Sequence, residues 1–395
     1  MLELAAQLTC RLSGEPLNDA RVVLDLADCP LPGVYPPTAE ASVLLRSPLR
    51  VVQAAGSGLV QLAHRFDPAI YGEYGFAADT SVAYRRHLRW FADQVAGAWP
   101  ATAAVLEVGC GDGLLLDLLG VHGFADRTGV DPGRAAGRRA PGEIVGGYFP
   151  DALDAAAPDR RYDLIVLRHV LEHIETPVAF AAALAQRLAP GGEVWIEVPD
   201  LDATLERELW SNLYQLHCNY FDAATLDALA GTAGLVRLSG ELVDVFGGSL
   251  LHRYGRGTSG PIAQPPDRDG LAASIGAFRD RLARLAACLP EDTVGYGAAE
   301  RTAMTLGAAP ELAARLRALF DGNALLGGRF LAGTALPIAP PEALYASAPR
   351  AVVLFAVSHR EEILREWRTR LPVETLVAVA GQDTECTPLG RLVAP

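Results

Sequence analysis

Lysine is absent from this sequence, and all 34 of its basic residues are arginine. That absence excludes a lysine general base and a lysine Schiff base. Acidic residues outnumber the arginines, and the formal net charge is −13. Because the phosphates of a nucleic acid are bound by basic patches, this charge argues against a nucleic-acid partner.

Long apolar runs are absent as well. No run approaches the ~18 residues that span a bilayer, so we expect no membrane partner. The amino-terminal residues lack the basic-then-apolar order of a secretory signal, and we expect a cytoplasmic protein. The six cysteines are scattered along the chain, and we interpret them as free thiols.

The length of 395 residues is too great for one typical core. We predict three parts. Residues 1–85 form a small N-terminal domain of short strands and proline turns. Residues 86–290 alternate strand and helix as a doubly wound α/β core does, and end in a hairpin and a helix. Residues 291–395 form a second α/β domain. The sequence does not indicate an oligomeric state.

The most informative segment is Val105-Leu-Glu-Val-Gly-Cys-Gly-Asp-Gly113. It predicts a buried strand that ends in a glycine turn and leads into a helix. Gly109, Gly111 and Gly113 would let a ligand lie against bare backbone. Asp131 ends the next predicted strand, where a carboxylate commonly binds the two hydroxyls of a ribose. The Glu-x-Gly-x-Gly-x-Gly pattern resembles class I S-adenosylmethionine (SAM) methyltransferases, and it favours SAM over a dinucleotide.

Other side chains are predicted to line the same cofactor site. Glu107 is expected near the SAM amine, and one of two aromatic residues is expected beside the adenine. Polar residues at the end of the fourth core strand are expected beneath the methionine part. The full set beyond the glycines and Asp131 is Glu107, Asp112, Tyr148, Phe149, Arg168 and His169. The alternatives are loop stabilisation for Glu107, core packing for an aromatic, and a polar helix terminus for the last two.

The order of segments over nearly the whole chain resembles the sugar C-methyltransferases, which methylate a keto-deoxysugar carried on a nucleoside diphosphate. The resemblance rests on the glycine loop and on several further segments. These include His169-Val-Leu-Glu-His-Ile174, Leu188-Ala-Pro-Gly-Gly192, Val294-Gly-Tyr-Gly-Ala-Ala299 and Gly333-Thr-Ala-Leu-Pro-Ile338. It implies a class I SAM-methyltransferase core, a zinc-ribbon-like N-terminal domain and a Rossmann-like C-terminal domain. It also implies a small-molecule acceptor such as a nucleotide sugar.

The sequence departs from this family at the metal. The family's ribbon resembles sites in which two Cys-x-x-Cys pairs hold one zinc ion. The matching positions here read Cys10-Arg-Leu-Ser13 and Ala54-Ala-Gly-Ser57, so three of the four thiolates are missing. We therefore expect no metal, with apolar packing in its place.

A second departure concerns the acceptor. The resemblance implies a catalytic Tyr-His-Glu-His segment, which reads Tyr214-Gln-Leu-His217 here. We predict His217 as the general base, because an unperturbed imidazole pKa near ~6.5 suits proton transfer at neutral pH. His173 and Tyr214 are predicted to hold the acceptor. The alternatives are a hydrogen-bonded structural histidine and a packed aromatic.

The expected carboxylate is replaced by Leu216, and an acid could instead come from Glu172 or Glu73. Phe76 and Phe246 also stand where the resemblance implies a phenol and a histidine. The resemblance is therefore not enough to predict carbon methylation of a keto sugar. Methylation of an oxygen or nitrogen atom is the alternative.

We therefore predict a SAM-dependent methyltransferase that acts on a small molecule of natural-product or deoxysugar metabolism. One alternative is a SAM-fold protein that no longer methylates, acting as a scaffold or in another SAM-dependent reaction. Another is a nicotinamide-dependent enzyme that uses the glycines of residues 295–297. We disfavour the latter, because no acid is expected there at the end of a clear second strand.

Overall fold

The computed structural model describes residues 8–65, 82–133, 144–258, 268 and 271–392. The strands are β1 Arg21–Pro30, β2 Arg46–Gln53, β3 Val60–Leu62, β4 Val105–Val108, β5 Arg127–Asp131, β6 Ile144–Gly146, β7 Tyr162–Arg168, β8 Leu188–Pro199, β9 Asn219–Tyr220, β10 Leu235–Val243, β11 Ser249–Arg256, β12 Thr293–Tyr296, β13 Leu316–Phe320, β14 Ile338–Ala339, β15 Ala351–Leu354, β16 Leu376–Val379 and β17 Thr387–Pro388. The helices are α1 Ala39–Val43, α2 Val82–Ala98, α3 Leu114–Val121, α4 Asp151–Ala156, α5 Pro177–Arg187, α6 Leu201–Glu206, α7 Ala223–Thr232, α8 Leu271–Cys288, α9 Glu300–Ala308, α10 Pro310–Ala313, α11 Pro341–Ser347 and α12 Arg360–Arg370. Among these described helices, none is long and apolar enough to cross a bilayer.

The chain divides into two compact units. The first comprises Met1–Arg21, Val52–Thr204 and His217–Asp267, and the second comprises Val22–Val51, Leu205–Leu216 and Arg268–Pro395. The segment 22–51 therefore groups with the C-terminal part of the chain. Its side chains explain this grouping, since Ser42 Oγ donates a hydrogen bond to Leu331 O at 2.7 Å. The predicted boundaries at residues 85 and 290 stay a prediction.

The first unit is built on a seven-stranded sheet of order β10-β11-β8-β7-β4-β5-β6. Strands β4 to β8 are parallel, whereas β11 runs antiparallel to β8 and pairs with β10 as a hairpin. This confirms the predicted doubly wound core and its hairpin. Strand β4 is central, with β5 on one side and β7 on the other. Ligands of such sheets gather at the carboxyl ends of strands where the order reverses.

Both faces of this sheet are covered by apolar side chains, as parallel strands require. On one face Leu106 belongs to a cluster with Ile165 and Ile196. On the other face Val105 packs in a cluster with Phe91 of α2 and Trp195. The strand residues thus alternate between two cores, which fixes the register of β4 and the point at which it ends.

The second unit contains a six-stranded sheet of order β14-β13-β12-β15-β16-β17. All pairs are parallel except β16 with β17. Its core includes Val294, Val352 and Trp367. The predicted Rossmann-like domain is confirmed, and its strand order reverses between β12 and β15.

Candidate functional site

The loop between β4 and α3 presents bare backbone. Gly109, Gly111 and Gly113 have φ values of 74°, 55° and 79°, in the left-handed region that side chains rarely adopt. The Gly109 N–H donates to Val130 O on β5 at 2.8 Å. A Cβ added to Gly109 would lie 2.2 Å from Cγ2 of Val170. The glycine loop therefore lies directly against the segment that follows β7.

The substitution Gly109→Ala is expected to prevent SAM binding and to lower the free energy of unfolding by ~2–4 kcal/mol. About 1–2 kcal/mol comes from the left-handed backbone and a similar amount from overpacking against Val170. Gly191→Ala is the matched control, because Gly191 has φ 78° but nothing within 4 Å of an added Cβ. Urea unfolding and calorimetry with SAM measure both effects. Equal losses in the two variants would contradict the proposed steric role of Gly109.

Asp131 is held at the mouth of this loop. Its Oδ2 accepts a hydrogen bond from the Gly111 N–H at 2.8 Å, and its Oδ1 accepts one from the Gly133 N–H at 2.6 Å. The carboxylate is thereby fixed beside the cradle, where a ribose diol is expected. Asp112 Oδ1 accepts from the Leu114 N–H at 3.2 Å, so this side chain also stabilises the start of α3.

Glu107 and Arg168 form a buried ion pair beneath the loop. Arg168 Nη2 donates to Glu107 Oε1 at 2.8 Å, and Nη1 donates to the hydroxyl of Tyr84 at 3.0 Å. Burial raises the pKa of Glu107, while Arg168 opposes that rise. Glu107 Oε2 has no hydrogen-bond partner among the described residues. The Arg168 side chain thus supports the loop, and the predicted contact of Glu107 with a ligand amine stays a prediction.

His169 belongs to a second buried network. It follows β7 with φ 54°. Its Nε2 lies 2.8 Å from Glu197 Oε1, and the other oxygen of Glu197 lies 2.8 Å from His87 Nε2. Burial alone would lower the pKa of His169, but Glu172 and Glu197 outweigh it and raise that pKa to about 9. Burial alone would raise the pKa of Glu197, but His169 and His87 hold it well below its usual range. His169 therefore has carboxylate partners inside the protein, and its predicted contact with a ligand stays a prediction.

His173 and His217, the two histidines predicted for the acceptor side, lie together. Their rings meet edge to face with centroids 4.9 Å apart. One oxygen of Glu172 and one ring nitrogen of each histidine lie within 4.8 Å of one another. Ligands at 2.0–2.2 Å from a zinc ion lie roughly 3–4 Å apart, so this looser grouping does not by itself define a metal site.

Asn219 ties the two histidine-bearing segments together. Its Nδ2 donates to Ile174 O at 2.8 Å and to Leu171 O at 3.3 Å. The turn that carries His173 is thereby fastened to the stretch that carries His217. Both segments belong to the first unit, at the carboxyl edge of its sheet.

Tyr214 lies in the second unit, although His217 lies in the first. Tyr214 and Leu216 are buried. Gln215 Nε2 lies 3.4 Å from Pro30 O and 3.3 Å from Ser47 O, so this amide fastens its own unit. Gln215 and Leu216, which differ from the residues that the resemblance implies, are therefore buried or hydrogen-bonded inside the protein. The predicted acceptor contact of Tyr214 stays a prediction.

The two aromatic candidates for the adenine differ in exposure. Phe149 is buried and meets Phe180 edge to face at 5.2 Å, inside the core. Tyr148 is 54% exposed. Tyr148 is thus the more exposed of the two, and the predicted adenine contact stays a prediction.

The four positions of the degenerate zinc ribbon are described by the structure. Cys10 Sγ lies 3.0 Å from Ser57 Oγ, and the Ser13 N–H donates to the same sulfur at 3.4 Å. Cys10 and Ala54 belong to an apolar cluster with Leu59. Hydrogen bonds and packing join the two turns here. The aromatic segment of residues 71–76 lies outside the described residues.

The expectation of no acid after the second strand of the C-terminal domain was wrong. Asp321 directly follows β13, and its Oδ2 accepts from the Ala298 N–H at 2.7 Å. Its Oδ1 accepts from the Asn323 N–H at 2.8 Å. The Gly297 N–H donates to Phe320 O at 2.8 Å. These contacts repeat those of Asp131 and Gly109 in the first unit. The short strand with an arginine at its second position concealed the pattern.

The second unit also contains a cavity of about 310 Å³. It lies at the carboxyl ends of β15 and β16, beside α9. Its lining includes Arg207, Ser211, Arg301, Thr305, Phe355 and Gln382.

Glu197 and His87 are the functional candidates that sequence reasoning missed. A detectable signal was present, because a carboxylate within the apolar stretch 194–198 must be paired when buried.

Two family models match the chain. Residues 83–239 match a methyltransferase domain, and residues 270–373 match a C-methyltransferase C-terminal domain. The C-methyltransferase NovU of Streptomyces niveus is 25% identical over 384 residues, which cover 90% of this chain and 91% of that protein. A ubiquinone biosynthesis O-methyltransferase of Psychrobacter arcticus is 27% identical over 175 residues, 38% of this chain and 65% of that protein.

Solved methyltransferase structures resemble part of the chain. CalO1, a methyltransferase in calicheamicin biosynthesis, is 19% identical, with a TM-score of 0.37 over 48% of this chain and 57% of that one. Magnesium protoporphyrin IX methyltransferase from Synechocystis PCC 6803, with bound SAH, is 18% identical, with a TM-score of 0.36 over 48% of this chain and 91% of that one.

Proposed function

We propose that this chain, which belongs to the SAM-dependent methyltransferases, methylates a small natural-product intermediate, with a nucleotide-linked deoxysugar as the first candidate. The observation that carries the proposal is the contact between the glycine loop and the turn after β7. An added Cβ on Gly109 would touch Val170, three residues before His173. The cofactor cradle and the histidine pair are therefore neighbours. Likeness to the C-methyltransferase NovU along 90% of the chain supports methyl transfer as the reaction.

The residues of the loop fit SAM. Gly109 leaves no room for a side chain, Asp131 fixes a carboxylate at the mouth, and Glu107 has a buried oxygen without a partner among the described residues. Tyr148 is the proposed adenine contact. SAM supplies an electrophilic methyl group, so proximity, orientation and removal of a proton are what the protein must add.

His217 is the proposed base. It is buried, and the clamp of Asn219 holds it beside His173, which would orient the acceptor. Arg168 and His169 support the cofactor site through their buried ion pairs. The atom that is methylated, whether carbon, oxygen or nitrogen, is decided by the acceptor that His217 can deprotonate.

Calorimetry with SAM and with its demethylated product is expected to show binding of both. Methyl transfer from radiolabelled SAM is then expected to at least one nucleoside diphosphate-linked keto or amino sugar. The control omits the acceptor and measures cofactor hydrolysis alone. Binding without transfer to any sugar would favour a scaffold or another SAM-dependent role. Absence of SAM binding up to millimolar concentration would overturn the proposed function.

A further inference from the structure

We infer that Glu172 is a positioning residue for the His173–His217 pair and supplies the carboxylate that this chain lacks at Leu216. The inference rests on the proposed function, in which His217 receives the acceptor's proton. It deepens that function by naming the group that stabilises the resulting imidazolium.

The position of Glu172 carries the argument. It lies in the short 3-10 helix Leu171–His173 that follows β7, and it is 2% exposed. One of its oxygens lies within 4.8 Å of a ring nitrogen of both His173 and His217. Its Oε1 lies 3.5 Å from His169 Nδ1, and neither oxygen has a hydrogen-bond partner among the described residues. A buried carboxylate in this state favours positive charge on its neighbours.

The neighbouring charges leave Glu172 less neutralised than Glu197. Glu197 is met by ring nitrogens on two sides, from His87 and His169, each at 2.8 Å. Glu172 has His169 alone at ion-pair distance within the described part of the chain, at 3.5 Å. The uncompensated negative charge therefore lies on the side of His173 and His217. A proton arriving on that pair is stabilised by it.

Among the residues that the structure describes, the other titratable groups near the pair do not compete for this role. The nearby carboxylate of Glu175 is paired with Arg11 at 2.8 Å. Cys218 Sγ lies 3.3 Å from Glu175 Oε1, and burial raises the pKa of this thiol, which keeps it neutral. The ring of Tyr220 lies 6.2 Å from that of His217.

The chemistry needs no further reactant. In the proposed reaction the acceptor loses one proton and His217 gains it. Glu172 does not take the proton, and its carboxylate lowers the free energy of the imidazolium. Because it acts through His217, its removal should change the basicity of that histidine as well as the rate.

The substitution Glu172→Gln tests this in the full-length enzyme. In the pH profile of kcat, the acid limb is expected to move to a pH lower by about one unit. An opposite charge within ~4–6 Å raises the pKa of an imidazolium by that amount, and the substitution removes this charge. The plateau rate should fall ~10-fold or more, since a weaker base transfers the proton less readily. Glu172→Asp should restore the acid limb. Glu241→Gln, on the exposed strand β10, is the matched control and should leave both unchanged. An unmoved acid limb in Glu172→Gln would overturn the inference.

A measurement on the unmodified protein covers the case in which Glu172→Gln fails to fold. Imidazole NMR, assigned by comparison with His217→Asn, should show His217 titrating above its ordinary ~6.5. A midpoint at or below ~6.5 overturns the inference. This titration needs no acceptor, so it tests whether positive charge is favoured on His217 even if no sugar is methylated. Stoichiometric metal in the purified protein, bound through these residues, would also overturn it.

Discussion

Replacing His217 by Asn is expected to lower kcat by ~10²–10⁴ and to leave the affinity for SAM unchanged. Asparagine keeps a polar side chain of similar reach, but it cannot accept a proton at neutral pH. The histidine lies beside His173 and apart from the glycine loop's own hydrogen bonds. Steady-state rates with the methylated acceptor and calorimetry with SAM measure the two effects separately.

His122→Asn is the matched control. His122 lies after α3, pairs with the exposed Asp93 at 3.0 Å, and should leave kcat unchanged when it is replaced. A wild-type rate in His217→Asn would remove this residue as the base. Equal losses of rate and of SAM affinity would assign it a structural role instead.

The geometry of the glycine loop after β4 could be predicted from the sequence because its physical requirements are local. Gly109 and Gly113 have positive φ, a backbone conformation that favours glycine, so the requirement is visible in the sequence. Asp131 follows the next strand at a spacing that parallel strands impose. The order of the central strands then follows from alternating strand and helix patterns.

The acceptor side could be predicted only in part, because its neighbours come from distant segments. His173 and His217 could each be chosen as candidates from the sequence. Their contact, however, depends on the hydrogen bond that Asn219 donates to Ile174 O. Nor does periodicity reveal that residues 214 and 217 belong to different units. That division depends on long-range hydrogen bonds, such as those of Gln215 with Pro30 and Ser47.

Asp321 shows a different limit. The strand before it has an exposed arginine at its second position, so its apolar pattern is weak. The role of Asp321 is recognised only from its hydrogen bond, in which Oδ2 accepts from the Ala298 N–H at 2.7 Å. A three-dimensional contact between two loops is needed to recognise it.

Glu197→Gln is expected to lower the free energy of unfolding of the first unit by about 3 kcal/mol, because it breaks a buried charge network. Glu197 is fully buried between His87 and His169. An amide keeps the shape but lacks the charge that favours a proton on His169. For a unit of this size, the loss corresponds to a decrease in Tm of roughly 10 °C.

The pH dependence identifies the cause. The pKa of His169 is raised from 6.5 to about 9, so its contribution to stability is full below 6.5 and is lost as pH rises through about 9. The pKa of Glu197 is lowered from 4.5, so its contribution is present above 4.5 and is lost as pH falls through the lower folded value. The difference between wild type and Glu197→Gln should therefore be largest between about pH 5 and 6.5 and should shrink toward pH 9 and above.

Hydrogen exchange of peptides from β7 and β8 reports opening of the first unit within the full chain. Glu193→Gln is the control on the same strand, where the carboxylate accepts from Trp195 Nε1 at 2.7 Å and has no histidine partner within the described part of the chain. It should lose stability equally across this pH range. A loss in Glu197→Gln that does not change with pH would show that packing, and not the His169 charge, accounts for the effect. If the stability difference between wild type and Glu197→Gln instead decreases toward alkaline pH, the stability of the sheet depends on the imidazolium of His169. That imidazolium is also the one that faces Glu172.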